Sequence, residues 1–184
     1  RPARFVGFAP DEAGHRALRI ADAEGERTLH ARLVVAADGT RSAVREALGI
    51  GVDEHDYGQT LFVARVRATQ APDGTAYERL GDDGPTALLP RGDRHWGIVH
   101  GVAREQAETV AALNDVAWLA RLQRAVGWRI GRLVASGERS AYPIARVVAQ
   151  RLVADRAVVL GNAAQTIHPI GAQGFNLGLR DALT

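Results

Sequence analysis

The 184-residue chain has no cysteine, no methionine and no lysine, and its longest apolar run is LVVAA. The missing cysteine excludes a disulfide framework, a thiolate metal site and a cysteine nucleophile, and we predict no metal site. The run LVVAA is far shorter than the roughly 20 residues that a membrane-spanning helix needs. All 23 basic residues are arginines dispersed among 21 acidic ones. Because a nucleic-acid surface clusters its cations, we predict no nucleic-acid partner.

The absence of methionine means that the sequence lacks a natural start, and RPARFVGFAP resembles neither a signal peptide nor a basic leader. We therefore expect an excised piece of a longer protein. Its hydrophobic content of 46% is ordinary for a globular domain with a real core. A reducing cytoplasm is the expected compartment, because cysteine is absent.

The first part of the chain shows short strands separated by turns and ends in the segment RTLHARLVVAA, which closes with the apolar run LVVAA. Such a run is typical of a strand that is buried on both faces in a parallel sheet. The run leads into Asp38 and Gly39, and the apolar spacing then predicts a short helix from Ser42 to Leu48, ended by Gly49. A strand, a loop and a helix in this order present loop groups to a ligand at the carboxyl edge of a sheet.

The middle of the chain alternates in the manner of antiparallel strands, in TLFVARVRA, TAYERL, PTALLP and HWGIVHG. A helix is predicted from Glu105 to Val126, followed by the extended segment RIGRLVASGERSAYPIA. A second buried strand, AVVLG, precedes a glycine-rich stretch. The middle part is therefore expected to be a separate structural unit.

Two motifs each follow a buried strand directly: DGTRSAVR, from Asp38 to Arg45, and GNAAQTIHPIGAQGFNLGLRD, from Gly161 to Asp181. An Asp-Gly pair after a strand is by itself typical of a simple turn. The first motif therefore indicates a ligand site only together with the second motif. No group of three glycines has the GxGxxG spacing of a dinucleotide-binding turn.

Together with AYERL, GPTALLP, GWRIG and RSAYPIA, the two motifs resemble the FAD-dependent aromatic hydroxylases built like para-hydroxybenzoate hydroxylase, and within them the ubiquinone-biosynthesis branch. The resemblance covers nearly the whole chain from Arg32 onward. The chain departs from the pattern in Gly171-Ala172, where Ala-Gly is usual, and has Asn162 where most relatives outside this branch have aspartate.

The resemblance implies an α/β fold, α+β within this chain, that combines part of an FAD-binding Rossmann-like domain with an antiparallel-sheet substrate domain. Residues 1–57 and 151–184 would belong to the FAD domain, and residues 58–150 to the substrate domain. The GxGxxG segment that holds the ADP half of FAD would lie outside the chain. We therefore expect the isolated chain to be inactive and to bind FAD weakly or not at all.

The activity implied by the resemblance is that of an FAD-dependent monooxygenase of ubiquinone biosynthesis. NAD(P)H would reduce FAD, dioxygen would form a flavin C4a-hydroperoxide, and one oxygen atom would pass to a polyprenylated phenol. Two alternatives stay open, namely a monooxygenase of another phenolic or polyketide aromatic, and a non-catalytic ligand-binding module derived from such an enzyme. A homo-oligomer, a ubiquinone-biosynthesis complex and peripheral attachment to the inner face of a membrane also stay open.

The resemblance also implies which residues face the cofactor. They are Asp38, Gly39, Arg45, Gly161, Asn162, Ala163, Pro169, Gly171, Gln173, Gly174 and Asn176. The resemblance further implies a helix from Phe175 to Leu183, whose amino end would point at the N1–C2=O edge of the flavin, where the reduced ring is anionic.

Three further assignments carry alternatives. His168 is the candidate acid–base residue, and a structural, hydrogen-bonded histidine is its alternative. Arg45 would lie on the side where NAD(P)H approaches, or else be solvated or paired with Glu46 or Asp53. The substrate is expected between the flavin and the antiparallel sheet, and the candidate lining residues, which are equally well ordinary core, are Leu88, Pro90, Trp96 and Ile98.

Overall fold

The computed structural model describes residues 2–183, which divide into two compact units. One unit comprises the chain up to His55 together with the chain from Ala145 onward, and the other is Asp56–Ile144. The predicted boundaries lay at 57/58 and 150/151. Assignment of these segments to an FAD domain and a substrate domain stays a prediction.

Strands predominate over helices along the chain. The first half contains β1 (Arg4–Glu12), β2 (His15–Asp22), β3 (Gly25–Ala31), β4 (Val34–Ala36), α1 (Ala43–Ala47), β5 (Val52–Ala68), β6 (Tyr77–Gly81), β7 (Gly84–Pro90) and β8 (Trp96–Ala103). The second half contains α2 (Ala107–Ala111), α3 (Asp115–Val126), β9 (Leu133–Ser136), β10 (Ser140–Ala149), β11 (Val153–Ala154), β12 (Ala157–Val159), β13 (Gln165–Thr166) and α4 (Gly174–Leu183). Short 3-10 helices span Arg104–Gln106, Gly161–Ala163 and Pro169–Gly171. The mixed α/β fold with antiparallel sheets is the predicted fold class, which is confirmed.

The first unit contains an antiparallel sheet in the order β1-β2-β3 and a second sheet in the order β11-β12-β4. Strands β12 and β4 are parallel, as the apolar runs predicted. Phe5, Phe8 and Leu18 of the first sheet pack against the core formed by the second sheet and α1. This core positions the two sequence motifs, because both follow strands of the second sheet.

The run RTLHARLVVAA is not one strand buried on both faces, and that prediction was wrong. The run divides into β3 and β4, which are separated by Arg32 and Leu33. Because side chains alternate along a strand, Val34 and Ala36 enter the core while Val35 lies on the other face and is 52% exposed.

The second unit is built on antiparallel strands in the order β6-β7-β8-β5, and β9 pairs with the end of β5. One face of this sheet forms a core with α3, in which Trp118 and Leu122 are fully buried. Leu88, Trp96 and Ile98 belong to this core. Their burial favours the alternative that these three residues are ordinary core, whereas Pro90 is half-buried at the end of β7. A contact of any of the four with substrate stays a prediction.

The helix predicted from Glu105 to Val126 is interrupted, so its continuity was wrong. The chain forms a 3-10 turn and α2, and then starts a new helix, α3, at Asp115. The side chain of Asn114 accepts a hydrogen bond from the backbone N–H of Ala117 at 2.9 Å. Asparagine is among the best N-cap residues, which explains why α3 begins there. Within residues 2–183, none of the helices has the length and apolar character needed to cross a bilayer.

Candidate functional site

The parallel pairing of β4 with β12 brings the two sequence motifs to one edge of the sheet. Ala157, Val158 and Val159 lie opposite Val34, Val35 and Ala36, and the backbone N–H of Leu160 donates to the carbonyl oxygen of Ala36 at 3.0 Å. Both strands end at the same edge because they run in the same direction. The two motifs therefore begin beside each other at the carboxyl edge, where α/β sheets bind ligands.

Two direct hydrogen bonds join the motifs. The hydroxyl oxygens of Thr40 and Thr166 lie 2.7 Å apart, across 126 residues of sequence. The Nη1 of Arg45 donates to the carbonyl oxygen of Ala163 at 2.7 Å. Neither threonine was among the predicted site residues. Their only signal in the sequence was a hydroxyl side chain inside each motif, which by itself does not indicate a partner.

The first motif is organised by Asp38. One carboxylate oxygen accepts a hydrogen bond from the hydroxyl of Ser42, and the other accepts from the backbone N–H of Val44 at 3.2 Å. Ser42 in turn accepts from the backbone N–H of Arg45 at 2.9 Å and so caps α1. Gly39 has φ 89°, a conformation that glycine adopts without strain. The pattern DGxxSxxR thus shapes the loop and starts the helix.

Arg45 is buried at 8% exposure and directed at the second motif. The alternative of a solvated arginine, or one paired with Glu46 or Asp53, is therefore wrong. A buried guanidinium needs hydrogen-bond acceptors, and the Ala163 carbonyl supplies one. In this position Arg45 ties α1 to the loop after β12. A contact of Arg45 with the cofactor or with NAD(P)H stays a prediction.

The second motif opens with a glycine whose conformation and surroundings both matter. Gly161 has φ 60°, and a Cβ built on it would meet no heavy atom within 4 Å. Open space beside bare backbone at the end of a strand is what a closely approaching ligand needs. The next residue, Asn162, places an exposed side-chain amide at the same edge. Ala163 is fully buried below them.

Helix α4 is held against this loop by two residues that the sequence reasoning did not assign to the site. The backbone N–H of Gly161 donates to the Oδ2 of Asp181 at 3.3 Å. A Cβ on Gly178 would lie 3.2 Å from the Cα of Gly161, so a larger residue would have to shift this contact by a few tenths of an ångström. The spacing of three residues between Gly178 and Asp181 puts both on one helix face, and this was the signal that was available.

His168 begins the short 3-10 turn Pro169–Gly171. Its Nδ1 accepts a hydrogen bond from the backbone N–H of Ile170 at 3.2 Å. A ring nitrogen that accepts a hydrogen bond carries no proton, so this contact favours the tautomer with the proton on Nε2. The geometry favours the structural alternative for His168. The acid–base role stays a prediction.

The loop then turns into the amino end of α4. The backbone N–H of Leu177 donates to the carbonyl oxygen of Gln173 at 2.9 Å, and this is the first hydrogen bond of α4 between residues four apart. The N–H groups of the first turn therefore have no partner four residues earlier within the helix. The side chain of Asn176 donates to the Oε1 of Gln173 at 3.3 Å, and both residues are exposed. This end of α4 offers several N–H donors and the positive end of the helix dipole.

The departure from the usual Ala-Gly order places an alanine, Ala172, in an unfavourable backbone conformation. Its φ of 49° and ψ of 30° lie in the left-handed region, where the family pattern has glycine. A residue with a Cβ costs about 1–2 kcal/mol there. We expect Ala172→Gly to raise the free energy of unfolding by about 1 kcal/mol, measured by urea denaturation.

The matched control for this prediction is Ala37→Gly. Ala37 is an exposed loop alanine whose φ lies outside the left-handed region. There the substitution only increases the entropy of the unfolded chain, so stability should fall by about 0.4–1 kcal/mol. Equal changes of the same sign in the two variants would contradict the assignment of strain to Ala172.

Parallel strands with glycine-containing loops at their carboxyl edge are typical of α/β folds that bind nucleotide cofactors. The sequence profile of the family described as "FAD binding domain" matches residues 1–184, and the chain belongs to this family.

The chain is 36% identical over 180 residues to ubiquinone hydroxylase UbiL from Rhodospirillum rubrum, covering 98% of this chain and 41% of that protein. It is 31% identical over 169 residues to 3-demethoxyubiquinol 3-hydroxylase from Escherichia coli, covering 91% of this chain and 42% of that protein. The fold is also similar to that of aklavinone-11 hydroxylase in complex with FAD and aklavinone, with a TM-score of 0.73 at 22% identity, covering 98% and 35% of the two chains. The chain thus spans less than half the length of these proteins.

Proposed function

We propose that this chain supplies the flavin-ring half of the FAD site in a monooxygenase that hydroxylates a polyprenylated phenol in ubiquinone biosynthesis, with NAD(P)H and dioxygen as co-substrates. The observation that carries the proposal is the junction of the two motifs at one sheet edge through Arg45 and Ala163 and through Thr40 and Thr166. Relatives named as ubiquinone hydroxylases support the substrate class. The resemblance within this branch is to the 2-polyprenyl-6-methoxyphenol hydroxylases.

The residues at this edge fit an FAD molecule. Gly39 and Gly161 have positive φ and open space where a side chain would be, which allows backbone to approach a bulky cofactor. Asn162 adds an exposed amide that donates or accepts hydrogen bonds. The remaining residues proposed to hold FAD come from the loop and the start of α4: Pro169, Gly171, Gln173, Gly174 and Asn176.

FAD, when bound, supplies the redox chemistry that activates dioxygen for transfer to the phenol ring. The contribution of this chain is electrostatic and steric. The amino end of α4 stabilises negative charge placed against it, by roughly 0.5–2 kcal/mol. Asp38 and Ser42 hold the first loop in shape, and Arg45 keeps the second loop in register with it.

The face of the antiparallel sheet that does not pack on α3 is the proposed phenol-binding surface. Val63 of β5 and Leu89 of β7 are exposed on it at 39% and 44%, and β8 lies between these strands. Apolar side chains on an open sheet face bind the hydrocarbon part of a substrate through the hydrophobic effect. The opposite face is closed by the core around Trp118.

FAD titration followed by flavin fluorescence tests the cofactor assignment. In the protein that carries this chain, we expect Asn162→Ala to weaken FAD binding about tenfold, because one hydrogen bond to the cofactor is lost. The control is Gln70→Ala, which removes an exposed amide in the other unit. Equal FAD affinity in the unsubstituted protein, Asn162→Ala and Gln70→Ala would contradict a role of Asn162. For the isolated chain we expect weak or no binding, and a submicromolar stoichiometric complex would contradict this.

NAD(P)H oxidation in the presence of a prenylated phenol, followed by mass analysis of the product, tests the activity. A product heavier by one oxygen atom is the expected result. FAD binding without NAD(P)H oxidation would instead favour the ligand-binding module. Oxidation with a different phenol or a polyketide aromatic, but not with a prenylated phenol, would favour the alternative substrate class.

A further inference from the structure

A cavity of about 330 Å³ lies within the Asp56–Ile144 unit, and none of its lining residues belongs to either motif. It is bounded by the β6–β7 hairpin, β8 and α3. Its charged lining consists of Arg79, Arg121 and Arg124 against the single acid Asp83, with the buried His100 at its floor. Three guanidinium groups and one carboxylate give this cavity a net charge of +2 while His100 is neutral.

Arg121 forms two side-chain hydrogen bonds at this cavity, and both partners are uncharged. Its Nε donates to the Nε2 of His100 at 3.0 Å, and its Nη2 donates to the Oε1 of Gln106, also at 3.0 Å. The amide of Gln106 then donates to Asp83 at 3.4 Å, so the carboxylate reaches Arg121 only through an amide. The guanidinium is thus held in place by neutral groups and lacks a direct counter-ion within residues 2–183.

His100 has to be neutral for this network to form. The ring is 5% exposed, and the hydroxyl oxygen of Thr86 lies 2.9 Å from its Nδ1. Burial, and then the charge of Arg121, lower the pKa of His100 to about 4, while Asp83 opposes the shift. A neutral ring whose Nε2 accepts from Arg121 carries its proton on Nδ1, where it donates to Thr86. His100 therefore orients Arg121 without compensating its charge.

The other two arginines that line the cavity are Arg79 and Arg124. The Nη1 of Arg79 donates to the carbonyl oxygen of Ala125 at 3.3 Å, which directs this side chain toward α3. Arg124 is exposed and forms no ion pair within the described part of the chain. Arginine side chains present planar sets of N–H donors that match the oxygens of a phosphate group. Three such side chains around one cavity leave a surplus of donors and of positive charge.

We propose that this cavity binds a phosphate group, either of a soluble phosphorylated molecule or of a lipid headgroup. At about 30 Å³ per water molecule, the cavity holds the equivalent of roughly ten waters, which is ample for a phosphate or a pyrophosphate group. Neither motif contributes to it. The site therefore adds a ligand that the proposed flavin chemistry does not require, and failure of one proposal leaves the other standing.

Isothermal titration calorimetry of the full chain with inorganic phosphate and pyrophosphate tests the proposal. We expect saturable binding that Arg124→Gln weakens about tenfold, because one charge-assisted hydrogen bond is lost. This variant keeps the fold because Arg124 is exposed. Arg121→Gln should weaken binding further, and its thermal unfolding shows whether the network survives.

The matched control is Arg132→Gln, which removes an exposed arginine that does not line this cavity. Equal weakening in Arg124→Gln and Arg132→Gln would mean that only net charge matters and would overturn the proposal. Cosedimentation with phosphatidylglycerol vesicles, reduced by Arg124→Gln and absent with phosphatidylcholine vesicles, would assign the phosphate to a lipid. Pyrophosphate binding without cosedimentation would assign it to a soluble ligand. If the protein neither binds pyrophosphate nor cosediments with phosphatidylglycerol vesicles, the proposal is overturned.

Discussion

Replacing Arg45 with methionine is expected to lower the free energy of unfolding by about 3 kcal/mol, even without FAD. The guanidinium is buried and donates to the carbonyl oxygen of Ala163 at 2.7 Å. Methionine keeps much of the apolar volume but leaves this carbonyl, which lies in a fully buried residue, without its charged partner. Because the bond joins α1 to the loop after β12, its loss should also weaken FAD binding in the protein that carries this chain.

Urea denaturation without cofactor measures the effect of Arg45→Met directly. Arg41→Met is the control, since Arg41 is exposed in the same loop, and its substitution should change stability by less than about 0.5 kcal/mol. The pair of measurements separates the two roles considered for Arg45. Unchanged stability together with weaker FAD binding would contradict the structural role and favour direct contact with the cofactor.

Gly178→Val is expected to lower the free energy of unfolding by about 2 kcal/mol through overpacking. A Cβ at this position would already lie 3.2 Å from the Cα of Gly161, and valine adds two methyl groups to it. The clash has to push α4 away from the loop and strain the bond from the Gly161 N–H to Asp181. Since the amino end of α4 is part of the proposed flavin site, FAD affinity should fall as well.

The control for this substitution is Ala182→Val on the same helix. Ala182 is exposed, so the added methyl groups meet solvent, and only the small difference in helix propensity remains. Thermal unfolding of the two variants gives the comparison. Valine has a higher helix propensity than glycine, so a loss of stability in Gly178→Val has to come from the contact with Gly161. If Gly178→Val destabilises the protein no more than Ala182→Val does, the close approach of α4 to Gly161 is not important for stability.

Sequence patterns predicted the elements of this fold correctly where the pattern depends only on neighbouring residues. The helix from Ser42 to Leu48 is found as α1 with Ser42 as its N-cap. The alternating segments in the middle of the chain form the antiparallel sheet. These elements follow from side-chain periodicity and capping, which depend only on neighbouring residues.

The wrong predictions concern burial and continuity. An apolar run did not reveal that Val35 is exposed, because which face of a strand is covered depends on its neighbours in space. The helical pattern after Glu105 predicted a continuous helix and did not reveal the break at Asn114, where a side-chain cap competes with helix continuation. A solvated side chain was one alternative for Arg45, and only the position of Ala163 shows why this residue is buried.

By itself, the sequence determined the family of this protein, the strand–loop–helix units and the glycines that keep backbone bare at the sheet edge. Only the tertiary structure decided that Arg45 pairs with Ala163 across 118 residues and Thr40 with Thr166 across 126. It likewise decided that Gly178 allows α4 to approach Gly161. The physical reason is that a buried donor takes whichever acceptor the fold brings to it, and the parallel pairing of β4 with β12 brings these partners together.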